Sequence, residues 1–551
     1  MKCSNCGNNI SADKFFCSIC GMRVNNKSIS NIEKTNNIVN NKGLIFTDTE
    51  ILADKLGVTQ TEIQNILQQY VEYSSKYIDW NIVDIADTMN VGRVNPDNWQ
   101  TYLGILSDYY YGLGLNGLTY CPLFIIGGNE EIPMPLIESP VVVRGGLLAS
   151  DMLYCYDYGD ILSISPEVLV NQIPRFTVGR LPFSNEHTVD DLINYLNRSL
   201  DVLANGINVR GAAMTTTESW IAASTEIMRD IPTSNLDGEK VPLNNRMVVS
   251  PTLDISSTEM YEGYAQELTK VDCLLCNLHA NSNVGVPVFI GESIDSVQGF
   301  IAIHPSILKY TCPPIFHTLA CHGARFINYA IDDSMLYTAL RNGTLLYTGA
   351  CANSLGGVNR TAGCSEYLIK LYNIYLHQGI PAGEALLRAK QDYFRTCYEE
   401  DGHNNAMFTI LEFNLFGCPA LSMQPKLDVN YKPQIYNRDI STNSQVSYQP
   451  CKYVPINESV YDADDILSYV RRKVDENLSY IRSKVEKEVY ERLGLTPAQI
   501  QSILYITRQD ERVGVQFIYT RETQGSRITF NSSYIVNADN QGNIIKIFQT
   551  K

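Results

Sequence analysis

The chain has 551 residues, 44% apolar and 19% charged, and a formal net charge of −16. Such a length predicts about two to four domains, and the composition is that of a folded globular protein. The acidic balance excludes broad binding to a phosphate backbone, which needs clustered Lys and Arg, and argues against docking on anionic membranes. Neither a nucleic-acid nor a membrane partner is expected. Met1 runs directly into Lys2-Cys3-Ser4-Asn5-Cys6 without the apolar stretch of a secretory leader. No segment approaches the ~18 consecutive apolar residues of a membrane span. Fifteen cysteines, an odd number set mostly in apolar segments, fit a reducing compartment better than a disulfide framework. A cytoplasmic chain is expected.

Residues 1–23 contain two Cys-x-x-Cys knuckles, Cys3/Cys6 and Cys17/Cys20, each followed by glycine. Four thiolates at this spacing satisfy a tetrahedral Zn²⁺ with no open position, so a structural zinc is expected there. The segment holds too few apolar residues to fold without such a staple. It resembles the small zinc ribbons that open many multidomain proteins, which implies a docking or regulatory module. Residues 24–45 are rich in Asn, Ser and Lys and read as a linker.

A helical pair follows from about residue 46, with Thr59 or Thr61 as the cap of its second helix. From 118 to 182, short apolar runs such as YCPLFIIGG and RFTVGRLP read as buried strands, and EHTVDDLINYLNRSLDVLAN as an amphipathic helix. A second alternation starts near 208, with VRGAAMTTT, VDCLLCNLHA, PPIFHTLAC and GTLLYTGAC as strands. Strands alternating with helices predict an α/β fold, a mostly parallel sheet with helices on both faces. The expected divisions are 46–205 and 206–425 as two subdomains of that core, 426–458 as a connector, and 459–551 as a C-terminal α+β domain. That last part reads as a charged helix with one apolar stripe, Leu478, Ile481, Val485 and Val489 included, followed by a β-meander.

Two strands end in reactive residues. VDCLLCNLHA delivers His279 and PPIFHTLAC delivers Cys321. Neighbouring parallel strands build a site at their carboxyl ends, and a thiol there needs a base or a cation beside it. Cys273, Cys276 and His279 mimic a metal triad, but strand alternation turns Cys276 away from the other two. His317, inside its strand, reads as a core histidine, and His322 points elsewhere. Cys351, ending LLYTGAC, rivals Cys321 on the residues alone.

Six motifs then appear in one order: LFIIGGNEEIP, RFTVGRLPFSNEHTVDDLINYL, LHANSN, LACHGARF, GTLLYTGACANS and NLFGCPALSM. Together they resemble the gingipain-like branch of the caspase clan of cysteine peptidases. The resemblance implies Cys321 as nucleophile, with Cys351 in a strand that carries no chemistry. It implies His279 as general acid and base, and the backbone N–H groups of Ala280 and Cys321 as an oxyanion site. It also implies an acidic residue near the histidine from the end of an upstream strand, which GAAMTTTESW places at Glu218. Three positions depart from the pattern. Ala280 stands where the family usually has glycine, and Cys418 replaces the Asp of the closing signature. No carboxylate follows the Glu218 segment until Glu226, so no preference for Arg or Lys carries over. The expected function is peptide-bond hydrolysis of protein substrates by an intracellular, regulatory enzyme. Partner proteins would dock through the zinc ribbon or the C-terminal domain. A pseudo-peptidase scaffold is the alternative.

Overall fold

The computed structural model describes residues 42–423, apart from 93, 95–98, 116–117, 142–146, 157–171, 210, 232–246, 251–270, 281–287, 293–297, 309–311 and 358–362, together with 476–493, 500–507, 513–523, 529–538 and 543–550. The four N-terminal cysteines and the expected connector lie outside these residues.

The linker expected over 24–45 gives way to a strand by Lys42. In β1 (Lys42–Thr47) Leu44, Ile45 and Phe46 are fully buried. Only the first three apolar residues of that run follow an Asn-rich tract, too short a signal against its polar neighbours. Asp48 then caps the helix Thr49–Leu56 by accepting from the N–H groups of Glu50 and Ile51 at 3.1 and 3.0 Å. Thr59 caps the helix Gln60–Ser74. After β2 (Asp79–Asp84) come β3 (Cys121–Ile126), a small ribbon of β4 (Leu136–Glu138) and β5 (Leu147–Ala149), and β6 (Phe176–Leu181). The second series comprises β7 (Ala212–Thr217), β8 (Met247–Ser250), β9 (Cys273–Asn277), β10 (His279–Ala280), β11 (Phe289–Glu292), β12 (Gln298–Ile303), β13 (Ile315–Thr318), β14 (Leu346–Ala350), β15 (Leu355–Gly357) and β16 (Phe413–Phe416).

Ten of these strands form one sheet in the order β2-β1-β3-β6-β16-β14-β13-β9-β7-β8. Every junction is parallel except β14–β16. The sheet is thus two parallel halves of opposite direction joined at one antiparallel seam. It runs through both expected subdomains, and β16 crosses over from the second to complete the first half. Fully buried runs such as CPLFII and CLLCN are what a sheet covered on both faces demands. The helices Val189–Asn205, Gln60–Ser74 and Met335–Arg341 pack together, as do Ser365–His377, Ala382–Asp401 and His403–Glu412. Gly417 turns the chain out of β16 at φ +123, where a Cβ would lie 2.0 Å from the Leu345 carbonyl oxygen. Glycine is required there.

A second sheet, of eight strands, takes up β10, β11, β12 and β15 with β17 (Ile500–Thr507), β18 (Val513–Thr523), β19 (Thr529–Ala538) and β20 (Ile544–Thr550). β12 runs parallel to β18, and β20 pairs antiparallel with β15. The helix Glu476–Leu493 buries Val485 and Val489, and β19 buries Tyr534, Val536 and Ala538. Among the described residues no helix is long and apolar enough to cross a membrane.

Two of the sequence motifs meet in the first half of the ten-stranded sheet. Arg180, with no exposed surface, gives Nε and Nη2 to the Asp151 carboxylate at 2.8 and 2.7 Å. Its Nη1 donates to the carbonyls of Ile132 and Gly128 at 2.8 and 2.9 Å. The Arg of RFTVGRLP therefore ties down the loop of LFIIGGNEEIP. Within that loop buried Glu131 accepts from the Gly128 N–H at 2.8 Å and pairs with Lys55 at 2.7 Å. A guanidinium with so many donors satisfied is stable in the dry interior, whereas its removal strands a buried carboxylate. Arg180→Ala is expected to cost about 3–5 kcal/mol, seen as a lower thermal midpoint at a fixed scan rate. Arg180→Lys keeps the charge but not the fork and should recover only part of the loss.

Candidate active site

The second half of the sheet runs β8-β7-β9-β13-β14, and from β7 the chain goes first to one side and then to the other. Such a reversal opens a crevice at the carboxyl ends of the strands. β9 and β13 pair in parallel with Cys276 opposite Thr318, and the Leu319 N–H donates to the Cys276 carbonyl at 2.8 Å. His279 follows Cys276 by three residues, and Cys321 follows Thr318 by three. Both side chains therefore leave adjacent strands at the same height on the same edge.

Past Thr318 the chain turns sharply. The His322 N–H donates to the Ala352 carbonyl at 2.6 Å, and that of Ala324 to the Ala350 carbonyl at 3.0 Å. These bonds press the Cys321 turn against the segment leaving β14. The Ser354 N–H reaches the Cys321 sulfur at 3.2 Å. The sulfur in turn lies 3.7 Å from the Ser354 carbonyl oxygen, so Ser354 meets the thiol with both backbone groups. Cys321 is 5% exposed.

His279 is buried at β10, where it lies opposite Ile290 of β11. The Trp220 ring sits against it, with centroids 4.5 Å apart. Its Nε2 lies 3.2 Å from Oε2 of Glu292, the last residue of β11. The other oxygen of Glu292 accepts from the Ser219 hydroxyl at 2.9 Å. Ala280 remains in β10, opposite Phe289. Glu218 begins the short turn Glu218–Trp220 at the end of β7 and is half-buried. That segment reaches the histidine through Trp220, and Glu292 of β11 brings a carboxylate to the ring. Sequence reasoning missed Glu292, Ser219, Trp220 and Ser354. The first lies in VPVFIGESIDSV, which carries no motif, and the last acts through its backbone.

The remaining candidates are accounted for by packing. Cys273 and Cys276 are fully buried in β9, their thiols raised by burial. No group of metal-ligating side chains occurs among the described residues. His317 packs edge-on to Tyr372 with centroids 5.2 Å apart, and burial, aided by His377, lowers it to about 3. His322 takes φ +53 and is lowered to about 4 by burial and by Arg325. The Cys351 sulfur accepts from Asn414 Nδ2 at 3.4 Å. Cys418 replaces the signature Asp in a structural joint, its N–H donating to the Tyr195 hydroxyl oxygen at 2.8 Å. Glu226 pairs with Lys370 at 3.0 Å.

Residues 49–424 match the model described as peptidase family C25. The chain belongs to peptidase family C25. It is accordingly a cysteine peptidase, a hydrolase of protein substrates, on a fold that places one histidine and one cysteine at neighbouring strand ends. No curated protein sequence matches this C25 chain. It is similar to a solved structure described as a complex of the Porphyromonas gingivalis RgpB pro- and mature domains, at 10% identity and a TM-score of 0.45, over 70% of this chain and 80% of that one. Another, described as the structure of a protease, is similar at 9% identity and a TM-score of 0.46, over 93% of this chain and 97% of that one. Both likenesses are slight.

Burial pushes the thiols of Cys155, Cys351 and Cys418 each up to about 12. Thiolate is the reactive form, so these three are expected to stay unmodified by iodoacetamide in the native C25 chain near neutral pH. Peptide mapping by mass spectrometry, native against unfolded, reads the difference.

Proposed function

We propose that the chain is an intracellular endopeptidase acting through Cys321 and His279. The delivery of both residues to one sheet edge by the β9–β13 register carries this reading. In the proposed reaction the Cys321 thiol gives its proton to His279, and its sulfur attacks the carbonyl carbon of the scissile bond. Charge gathers on the carbonyl oxygen, which the N–H groups of Ala280 and Cys321 would receive. The C–N bond breaks as His279 gives its proton to the leaving amine. The acyl group remains on Cys321 as a thioester. Water then loses a proton to His279 and attacks the thioester; the C–S bond breaks, the carboxylic acid leaves, and His279 returns the proton to the Cys321 sulfur.

The flanking parts point to a regulatory enzyme rather than a digestive one. A zinc ribbon at Cys3, Cys6, Cys17 and Cys20 would recruit a partner protein, as would the C-terminal domain. The free thiols among the described residues support a cytoplasmic setting.

An electrophilic peptide probe, such as an acyloxymethyl ketone, should label Cys321, and the label should disappear in His279→Ala. Proteolysis that survives Cys321→Ala, or a probe that modifies another cysteine instead, would sink the assignment. The zinc reading is tested separately: about one Zn²⁺ per chain by elemental analysis, lost in the Cys3→Ser, Cys6→Ser double variant.

A further inference from the structure

We propose that Glu292 is a positioning residue that holds His279 for acid/base work, in addition to the Glu218 expected from the sequence. The inference rests on the peptidase reading above and names a further member of that site.

Strand pairing brings Glu292 to the ring. In the β10–β11 pair His279 lies opposite Ile290. Directly opposite residues share a face of the sheet, and so does the next-but-one residue, Glu292. A glutamate is long enough to reach across that diagonal, which accounts for the 3.2 Å from Oε2 to Nε2.

The carboxylate has little freedom. The Glu292 N–H donates to the Thr217 hydroxyl oxygen at 2.8 Å, and that hydroxyl donates back to the Glu292 carbonyl at 2.6 Å. The Ser219 hydroxyl fixes Oε1. Preceding Gly291 lets β11 lie flat on the end of β8, since a Cβ there would sit 2.5 Å from the Ser250 hydroxyl oxygen. Thr217 and Ser219 both belong to the end of β7, so one strand end sets the position of the whole group.

Glu292 is 1% exposed. A carboxylate so far from water must be matched by donors or a cation. Ser219 supplies a donor, and His279 supplies the cation whenever its ring is protonated. The protonated ring is the form that gives a proton to the leaving amine. The same approach, with Trp220 packed on the ring, sets the imidazole beside the carboxylate, the place of the third group in other nucleophile–histidine pairs. Glu218 stands at the head of the same turn, half-buried, and Trp220 from that turn covers the ring.

The chain holds 7 histidines, few enough to follow individually by carbon-13 labelling, with His279 assigned by its loss in His279→Ala. Removing a neighbouring negative charge disfavours the imidazolium. The His279 titration midpoint is therefore expected to fall in Glu292→Gln and to fall less in Glu292→Asp. In hydrolysis of fluorescently labelled casein, Glu292→Gln should lower kcat about 10-fold or more with KM little changed. The alkaline limb of its kcat profile should move to lower pH. A midpoint that stays in place in Glu292→Gln overturns the proposal. Where Glu292→Gln fails to fold, Ser219→Ala takes its place. A smaller fall in the midpoint supports the assignment and no change refutes it. A wild-type chain that leaves casein intact but shows the Glu292-dependent midpoint overturns the peptidase reading alone.

Discussion

The ladder between β9 and β13 is the constraint on which the rest of the site depends. Its last rung is the 2.8 Å bond from the Leu319 N–H to the Cys276 carbonyl. Beyond it the two chains part, one toward His279 and the other toward Cys321. Every residue of β9 and β13 is buried. A slip of one residue would turn each side chain to the opposite face, with no solvent side to receive it. The register is therefore fixed by the core, and with it the level at which His279 and Cys321 emerge. The turn after β7 on one flank adds Trp220 to the histidine and Ser219 to Glu292. The chain leaving β14 on the other flank adds Ser354 to the cysteine.

A chain of polar contacts connects this edge with the opposite half of the sheet. Arg180 holds Asp151, and the Asp151 N–H donates to Asn414 Oδ1 at 2.9 Å. Asn414 Nδ2 in turn donates to the Cys351 sulfur, at the start of the segment that leads to Ser354. Asn414 lies on β16, the strand at the antiparallel seam. Satisfied polar groups in a dry interior specify a single arrangement, because every alternative leaves one of them unpaired. The motifs around Arg180 and Cys418 thus contribute joints between halves, while the chemistry stays on one edge.

Strand ends were legible in the sequence because buried parallel strands are continuous apolar runs. His279 and Cys321 each terminate such a run, and alternation set Cys276 apart from them. Cys351 ends a run too, and only the ordered motifs separated it from Cys321. What lay beyond reading was contact between segments distant in sequence. Glu292 meets His279 because β11 folds back on β10, and Ser219 meets Glu292 across 73 residues. No local periodicity encodes either meeting. β1 was hidden for the opposite reason: its apolar run is short and its neighbour is an Asn-rich tract. The C-terminal meander was readable as strands, but its partners were not.

Those partners bear on the site. β12 and β15 are short strands at the rim of the catalytic core, and alone each would expose unpaired N–H and C=O groups. β18 takes up the end of β12, and β20 takes up β15 along Leu355–Gly357. The eight-stranded sheet therefore begins at His279 and returns at Leu355, the residue after Ser354, whose N–H meets the Cys321 sulfur. His279 and the loop against Cys321 are each fastened twice. The ten-stranded sheet sets where they leave the core, and the second sheet sets where the chain goes next. A site held from both directions keeps its geometry with little help from the turns between, and geometry is what acid/base transfer to a leaving amine requires.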